Sequence, residues 1–147
     1  MADETGTIHA VLNGEVYNYR EIRTDLERRG HTLRSCGDTE VLVHLWQDEG
    51  PAMVQRLRGM FALAVADERE RTLFLARDRV GKKPLYWWRV DGRLLFASEL
   101  KALWSGSGRR PEVDAGALEA FLGWGFVPER QCIARGVNKL PPGHHVV

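Results

Sequence analysis

The 147 residues carry 21 Lys and Arg against 20 Asp and Glu, a net charge of +1, with 44% apolar and 28% charged residues. That is enough apolar material for one cored domain, and the near-zero charge gives no case for nucleic acid or an anionic membrane. No apolar run reaches transmembrane length, the polar start Met1-Ala2-Asp3-Glu4-Thr5 is no signal peptide, and Cys36 and Cys132 make neither a disulfide framework nor a zinc motif, so a reducing cytoplasm is expected.

Residues 1–7 read as a polar lead-in. Ile8 to Leu12 is apolar and partly β-branched, as a strand entering a core should be. Asn13-Gly14-Glu15 then reads as a tight polar turn, because Asn-Gly is a common turn signal. The same residues allow a second reading. The Asn13 amide is a donor, Gly14 admits close approach to its backbone N–H, and two converging donors stabilise a developing oxyanion. The residues alone leave both readings open. Asn18, three residues before Glu21, is a capping-box-like start for a helix from Tyr19 to Arg29. Tyr19, Ile22 and Leu26 share one face of it; Arg20, Arg23, Glu27 and Arg28 are expected in solvent; Gly30 is the stop signal.

His31 to Ser35 is expected to be extended. Asp38 or Thr39 is positioned to cap a helix from Glu40 to Glu49, with Val41, Leu42, Leu45 and Trp46 as its apolar stripe. His44 lies beside that stripe with no second ligand at metal spacing. Met53 to Leu57 reads as a helical turn. The period then changes to that of strands over Phe61–Ala66, Thr72–Ala76, Leu85–Val90 and Arg93–Ala97, with Asp91-Gly92 as a two-residue hairpin turn. Leu85-Tyr86-Trp87-Trp88 is apolar at successive positions, which suggests a sheet covered on both sides. Ser98 is expected to cap a helix over Glu99–Trp104, and Ser105-Gly106-Ser107-Gly108 to form a flexible break. Asp114 is expected to cap a helix from Ala115 to Gly123 that buries Leu118, Phe121 and Leu122. Helices flanking packed antiparallel sheets predict an α+β sandwich.

Asn13-Gly14-Glu15-Val16-Tyr17-Asn18-Tyr19 resembles the Asn-Gly-Glu-hydrophobic-Tyr-Asn motif of class II glutamine amidotransferases, which use an N-terminal nucleophile. Three further segments match in order: Gly37-Asp38-Thr39-Glu40-Val41, Ala76-Arg77-Asp78-Arg79-Val80-Gly81-Lys82-Lys83-Pro84-Leu85-Tyr86 and Phe96-Ala97-Ser98-Glu99-Leu100-Lys101-Ala102-Leu103. The last two resemble the glutaminase domain of glutamine-dependent asparagine synthetase. The resemblance extends to Lys139-Leu140-Pro141-Pro142-Gly143-His144. It implies a four-layer αββα sandwich, incomplete at its N-terminus. It also implies a partial amidotransferase domain over residues 1–105, with a helix and a junction towards a synthetase domain over residues 106–147.

In that family a cysteine thiol, deprotonated by its own α-amino group, attacks the carboxamide of glutamine, and ammonia leaves for an aspartyl adenylate made with ATP. Carried over by position, Asn13 supplies a side-chain donor to the oxyanion and Gly14 a backbone N–H, while Glu15 and Asp38 hold the α-amino group of glutamine. The Arg77-Asp78-Arg79 and Lys83-Pro84 segment is expected to fix a turn. The partners implied are glutamine and a synthetase domain or chain, without nucleic acid or membrane; ATP and magnesium belong to the synthetase part, and no cofactor is implied for these residues.

The chain departs from the family pattern at the nucleophile. The residue after Met1 is Ala2, not Cys, and the stretch that would carry an Arg for the glutamine carboxylate is absent from these residues. The chain is therefore expected to be a fragment, a late-called start or a gene remnant, inactive alone as a glutaminase. Cys36, two residues before Asp38, lacks a free amine as base, and His31 is its one candidate partner nearby in sequence. The alternative is a non-catalytic structural module of the kind found in β-lactam synthetases.

Overall fold

The computed structural model describes residues 1–147. In chain order the elements are β1 (Ile8–Val16), α1 (Tyr19–Arg28), α2 (Glu40–Glu49), a 3-10 helix (Gly50–Gln55), β2 (Gly59–Asp67), β3 (Thr72–Arg77), β4 (Tyr86–Val90), β5 (Arg93–Ala97), α3 (Leu100–Ser107), α4 (Ala115–Trp124), β6 (Val137–Lys139) and β7 (His145–Val146). They form two compact units, residues 1–83 with 143–147 and residues 84–142. Each unit holds one antiparallel sheet, ordered β1-β2-β3-β7 in the first and β5-β4-β6 in the second.

In the first unit β1 pairs with β2 along its whole length, from Ile8 opposite Asp67 to Val16 opposite Gly59. The strand thus runs past Leu12, and Asn13-Gly14-Glu15 is paired strand instead of the expected tight turn. Two glycines make this possible. A Cβ on Gly14 would lie 2.0 Å from the Met60 carbonyl oxygen, and one on Gly59 would lie 2.1 Å from the Glu15 carbonyl oxygen. Only glycine lets the backbones pass this closely. The alternation of the strand puts Ile8, Ala10 and Val16 in the core and leaves His9, Val11, Asn13 and Glu15 exposed.

Helices α1 and α2 contribute to the core beside this sheet. Ile22 and Leu26 of α1 are buried with Val41, Leu42, Val43 and Leu45 of α2 and with Phe61, Leu63, Val65 and Phe74 of the sheet. Each such side chain stabilises the fold by roughly 1.5–3 kcal/mol relative to exposure. Trp46 packs on Phe74, and its indole N–H donates to Asp67 Oδ2 at 2.9 Å, tying α2 to the end of β2.

Several expected caps are replaced by longer-range bonds. Asn18 makes no side-chain bond to its own helix; its amide donates to the Arg56 carbonyl and its Oδ1 accepts from the Arg58 N–H. Neither Asp38 nor Thr39 caps α2 through its side chain. The lead-in is also more than a polar tail. Met1 and Ala2 pair with His9 and Ala10, covering part of the outer edge of β1. Asp3 closes the turn behind them, accepting from Thr5, from Thr7 N and from Ile8 N.

In the second unit β4 lies between β5 and β6, and the Asp91-Gly92 hairpin forms as expected with φ of 51° and 71°. Trp88, Leu103, Ala134 and Val137 form its core, with Cys132 packed against them. Helix α3 continues through Ser105-Gly106-Ser107, so the expected break there is helix. Leu103 and Trp104 anchor it, and Ser107 Oγ bonds the Trp104 and Arg109 carbonyls and the Arg109 N–H. Ser98 does not cap it; Glu99 stands at the N-cap.

Asp114 caps α4 as expected, accepting from Ala117 N at 2.9 Å. The apolar stripe of that helix is not buried. Leu118, Phe121 and Leu122 are 40%, 47% and 76% exposed, and Ala117 is the buried residue. The helix is held at its start instead, where Asp114 N–H bonds the Ile133 carbonyl and Val113 bridges Ala134. No helix is long and apolar enough to cross a membrane.

Two stability predictions arise here. Gly14→Ala should cost roughly 3 kcal/mol or more in urea unfolding, because its Cβ meets backbone on β2. Gly6→Ala, at φ 71° in open space, should cost only about 1–2 kcal/mol. Acid should act through Asp3 and Asp67. Burial pushes the Asp3 carboxyl up, but the Thr5 hydroxyl and the Ile8 and Thr7 N–H groups overrule it and hold it at about 2. The Arg69 guanidinium, outweighing burial and helped by the Trp46 indole, holds Asp67 at about 2. Both values lie below the ordinary 3.8, so this stabilisation is complete above that pH and disappears as pH falls through about 2. It amounts to about 2 kcal/mol per group. Urea midpoints measured from about pH 5 to about pH 2 should fall accordingly, and Asp67→Asn should flatten the fall.

Candidate functional site

A cleft of about 490 Å³ opens in the first unit where β1 ends. Strand β1 contributes Asn13, Gly14 and Glu15. Tyr19 comes from the start of α1, and Cys36, Gly37 and Asp38 from the segment before α2. Met60 of β2 and Lys83 of the loop after β3 complete it. The four residues singled out in the sequence, Asn13, Gly14, Glu15 and Asp38, therefore share one cavity. Tyr19, Met60 and Lys83 had not been singled out; Tyr19 had been read as helix face and Lys83 as part of a turn.

Buried and half-buried carboxylates hold the walls. Asp38 Oδ2 accepts from Val16 N at 2.9 Å, which fixes the 36–38 segment against the end of β1 and explains why it does not cap α2. Glu40 is 4% exposed and accepts from Arg34 N, Ser35 N and Ser35 Oγ at 2.7–2.8 Å. Burial alone would raise its carboxyl; these donors bring it below the usual range. Arg23, expected in solvent, reaches across to the Leu33 and Ser35 carbonyls and restrains the same segment.

The opposite wall hangs on Asp78, which is 1% exposed. Its carboxylate accepts from Phe61 N on β2 and from Val80, Lys82 and Lys83 N–H in the loop. Burial pushes it up, and these four backbone donors together pull it below the ordinary value. The Arg77 guanidinium donates to the Gly81 and Lys83 carbonyls. The Arg77-Asp78 charges are thus spent on fixing the turn.

Neither thiol is hydrogen-bonded to an imidazole. Cys36 lines the cleft and is exposed, while Cys132 belongs to the other unit. His31 is engaged elsewhere: its Nδ1 bonds His44 Nδ1 at 3.2 Å and its Nε2 bonds Asp48 Oδ1 at 2.9 Å. His31 therefore gives Cys36 no base. No three His, Cys, Asp or Glu side chains converge as metal ligands. In sum the cleft is lined by one carboxamide, two carboxylates, one ammonium, one phenol, one thiol, one thioether and two glycines. That set complements a small zwitterion with a polar end.

The glutamine amidotransferase domain family matches residues 1–147. Asparagine synthetase [glutamine-hydrolyzing] 1 of Bacillus subtilis is 37% identical over 143 residues, covering 97% of this chain and 22% of that protein. Asparagine synthetase [glutamine-hydrolyzing] 3 of Arabidopsis thaliana is 42% identical over 104 residues, 70% of this chain and 18% of that protein. The chain thus spans about a fifth of the length of these relatives. Among solved structures, an allosteric regulatory enzyme of purine biosynthesis aligns with 94% of this chain and 25% of its own, at a TM-score of 0.63 and 22% identity. Glutamine phosphoribosylpyrophosphate amidotransferase from B. subtilis aligns with 74% of this chain and 25% of its own, at 0.59 and 24%. At such identities these two show the fold alone, an α+β arrangement of helices and antiparallel sheets. With the family match over its full length, the chain belongs to the glutamine amidotransferase domain family and is similar within it to the glutamine-hydrolysing asparagine synthetases.

Proposed function

We propose that the cleft binds glutamine and belongs to a glutaminase domain whose ammonia serves an ATP-dependent amidation of aspartate. The observation that carries this reading is the convergence of Asn13, Gly14, Glu15 and Asp38 on one cavity. In it, the Asn13 side-chain amide and the Gly14 N–H face the carboxamide oxygen and take up negative charge as a tetrahedral centre forms. Glu15 and Asp38 receive the α-ammonium group. Asp38 is suited to this because its bond to Val16 N holds the carboxylate in place before ligand arrives. ATP, magnesium and the aspartate acceptor belong to a synthetase domain or chain that receives the ammonia.

Amide hydrolysis by this route needs an activated thiolate. Neither thiol among these residues has a base beside it: Cys36 makes no hydrogen bond to one, and Cys132 packs in the core of the other unit. The 147 residues therefore bind glutamine without turning it over.

Calorimetry of the 147-residue chain should detect glutamine binding. Asp38→Asn, which keeps an oxygen for Val16 N but removes the charge, should weaken it by about 1.5–3 kcal/mol. Absence of binding would favour a structural module instead. A coupled assay should find no glutamate release above the buffer blank; release by both the parent chain and Cys36→Ala would show a different nucleophile at work.

A further inference from the structure

We infer that Ser35 is a positioning residue for the cleft: its hydroxyl passes the hold of the buried Glu40 carboxylate on to the Gly37 backbone beside Asp38, an inference that rests on the glutamine reading above. The irregular part of the cavity wall leads to it. Cys36, Gly37 and Asp38 all line the cavity, and Cys36 and Gly37 are exposed and belong to neither a helix nor a strand. Such a stretch has no ladder to take up its N–H groups or to fix its path. Asp38 is tied at one end, where its carboxylate accepts from Val16 N at 2.9 Å. Ser35 is the tie at the other end.

Glu40 is the first residue of α2, and Val41 to Trp46 behind it are buried, so its carboxylate is a rigid anchor. Its Oε2 accepts from Ser35 N at 2.7 Å and from Ser35 Oγ at 2.8 Å. An ionised carboxylate only accepts, so the hydroxyl proton of Ser35 is committed to Glu40. The hydroxyl lone pairs are left for a donor, and Gly37 N–H supplies one at 3.3 Å. A serine that bonds the N–H two residues on is a turn former. Here the turn is oriented from outside, by a buried charge on the next helix. Arg23 donates to the Ser35 carbonyl and holds the same residue from α1. Ser35 is thus fixed by both helices and itself fixes the segment that carries Asp38. It does not line the cavity, so it acts through Gly37 and Asp38 and not by contact with ligand. A carboxylate held in place before the ligand arrives needs less ordering on binding, so loosening Gly37 shows in affinity.

The test joins calorimetry with glutamine to amide hydrogen exchange by NMR, both on the 147-residue chain. Ser35→Ala removes the hydroxyl and keeps the Ser35 N–H bond to Glu40. It should weaken glutamine roughly threefold to tenfold. In the same variant without ligand, the Gly37 amide should exchange about tenfold faster, while the Val43 and Leu45 amides inside α2 keep their parent rates. Ser35→Thr, which retains a hydroxyl, should restore both the affinity and the Gly37 rate. If Ser35→Ala binds glutamine as the parent does, if the α2 amides speed up along with Gly37, or if Ser35→Thr behaves like Ser35→Ala, Ser35 is not a positioning residue although the glutamine reading stands. If the parent chain binds no glutamine, the glutamine reading falls and this inference falls with it.

Discussion

The constraint at the cleft is the pairing of β1 with β2, where Gly14 and Gly59 face the partner strand's backbone. Neither position has room for a methyl group: 2.0 Å and 2.1 Å to a carbonyl oxygen is far inside van der Waals contact. Everything at the cleft depends on that pairing. It carries β1 four residues beyond its apolar segment, so that Asn13 and Glu15 emerge from a hydrogen-bonded strand. A side chain on a strand is held more rigidly than one on a turn, and a binding site gains from the difference.

Around this strand pair the cleft is assembled by carboxylates bonding to backbone. Asp38 holds the end of β1, Glu40 holds residues 34 and 35, and Asp78 holds the loop from 80 to 83. Loops cannot satisfy their own N–H groups as helices and sheets do, and a buried carboxylate satisfies several at once. The expense is desolvation of the charge, which works against ionisation at Glu40 and Asp78 and is outweighed by the donors there. Asp38, read from the chain alone as a candidate cap, and Asp78, expected to fix a turn, are together with Glu40 the fasteners of three separate segments.

Much of this was legible in the sequence because it is local. The strands over residues 61–66, 72–76 and 93–97 and the helices from Tyr19 and Glu40 follow from period and from Gly and Pro signals, and the Asp91-Gly92 hairpin from its turn chemistry. The failures share one cause. Asn18 and Asp38 each had a plausible local partner and took a distant one, at sequence separations of 38 and 22 residues, and Arg23, expected in solvent, adds bonds to carbonyls 10 and 12 residues away to its pair with Glu27. The stripe of α4 fails differently. Leu118, Phe121 and Leu122 have the spacing of a buried face, but period says only which residues share a face, not what covers it. The cleft residues on β1 were found through a motif, whereas the place of Met60 and Lys83 in the lining depends on how β2 and the loop after β3 come beside β1 in three dimensions.

The residues at the end of β1 are not equally informative about chemistry. Gly14 is fully accounted for by strand pairing; the fold would require it whether or not a ligand ever bound. Val16 is likewise explained by its burial in the core. Asn13 and Glu15 are different, since both lie on the exposed face of β1 and bury no apolar surface. Asp38 stands between the two cases, with one oxygen engaged at the end of β1 and the carboxylate still lining the cavity. A scaffold that had lost its ligand would keep Gly14, Val16 and Gly59 for packing alone. Packing has no such use for a carboxylate at 15, so the case for a working pocket rests on Glu15 more than on the glycine before it.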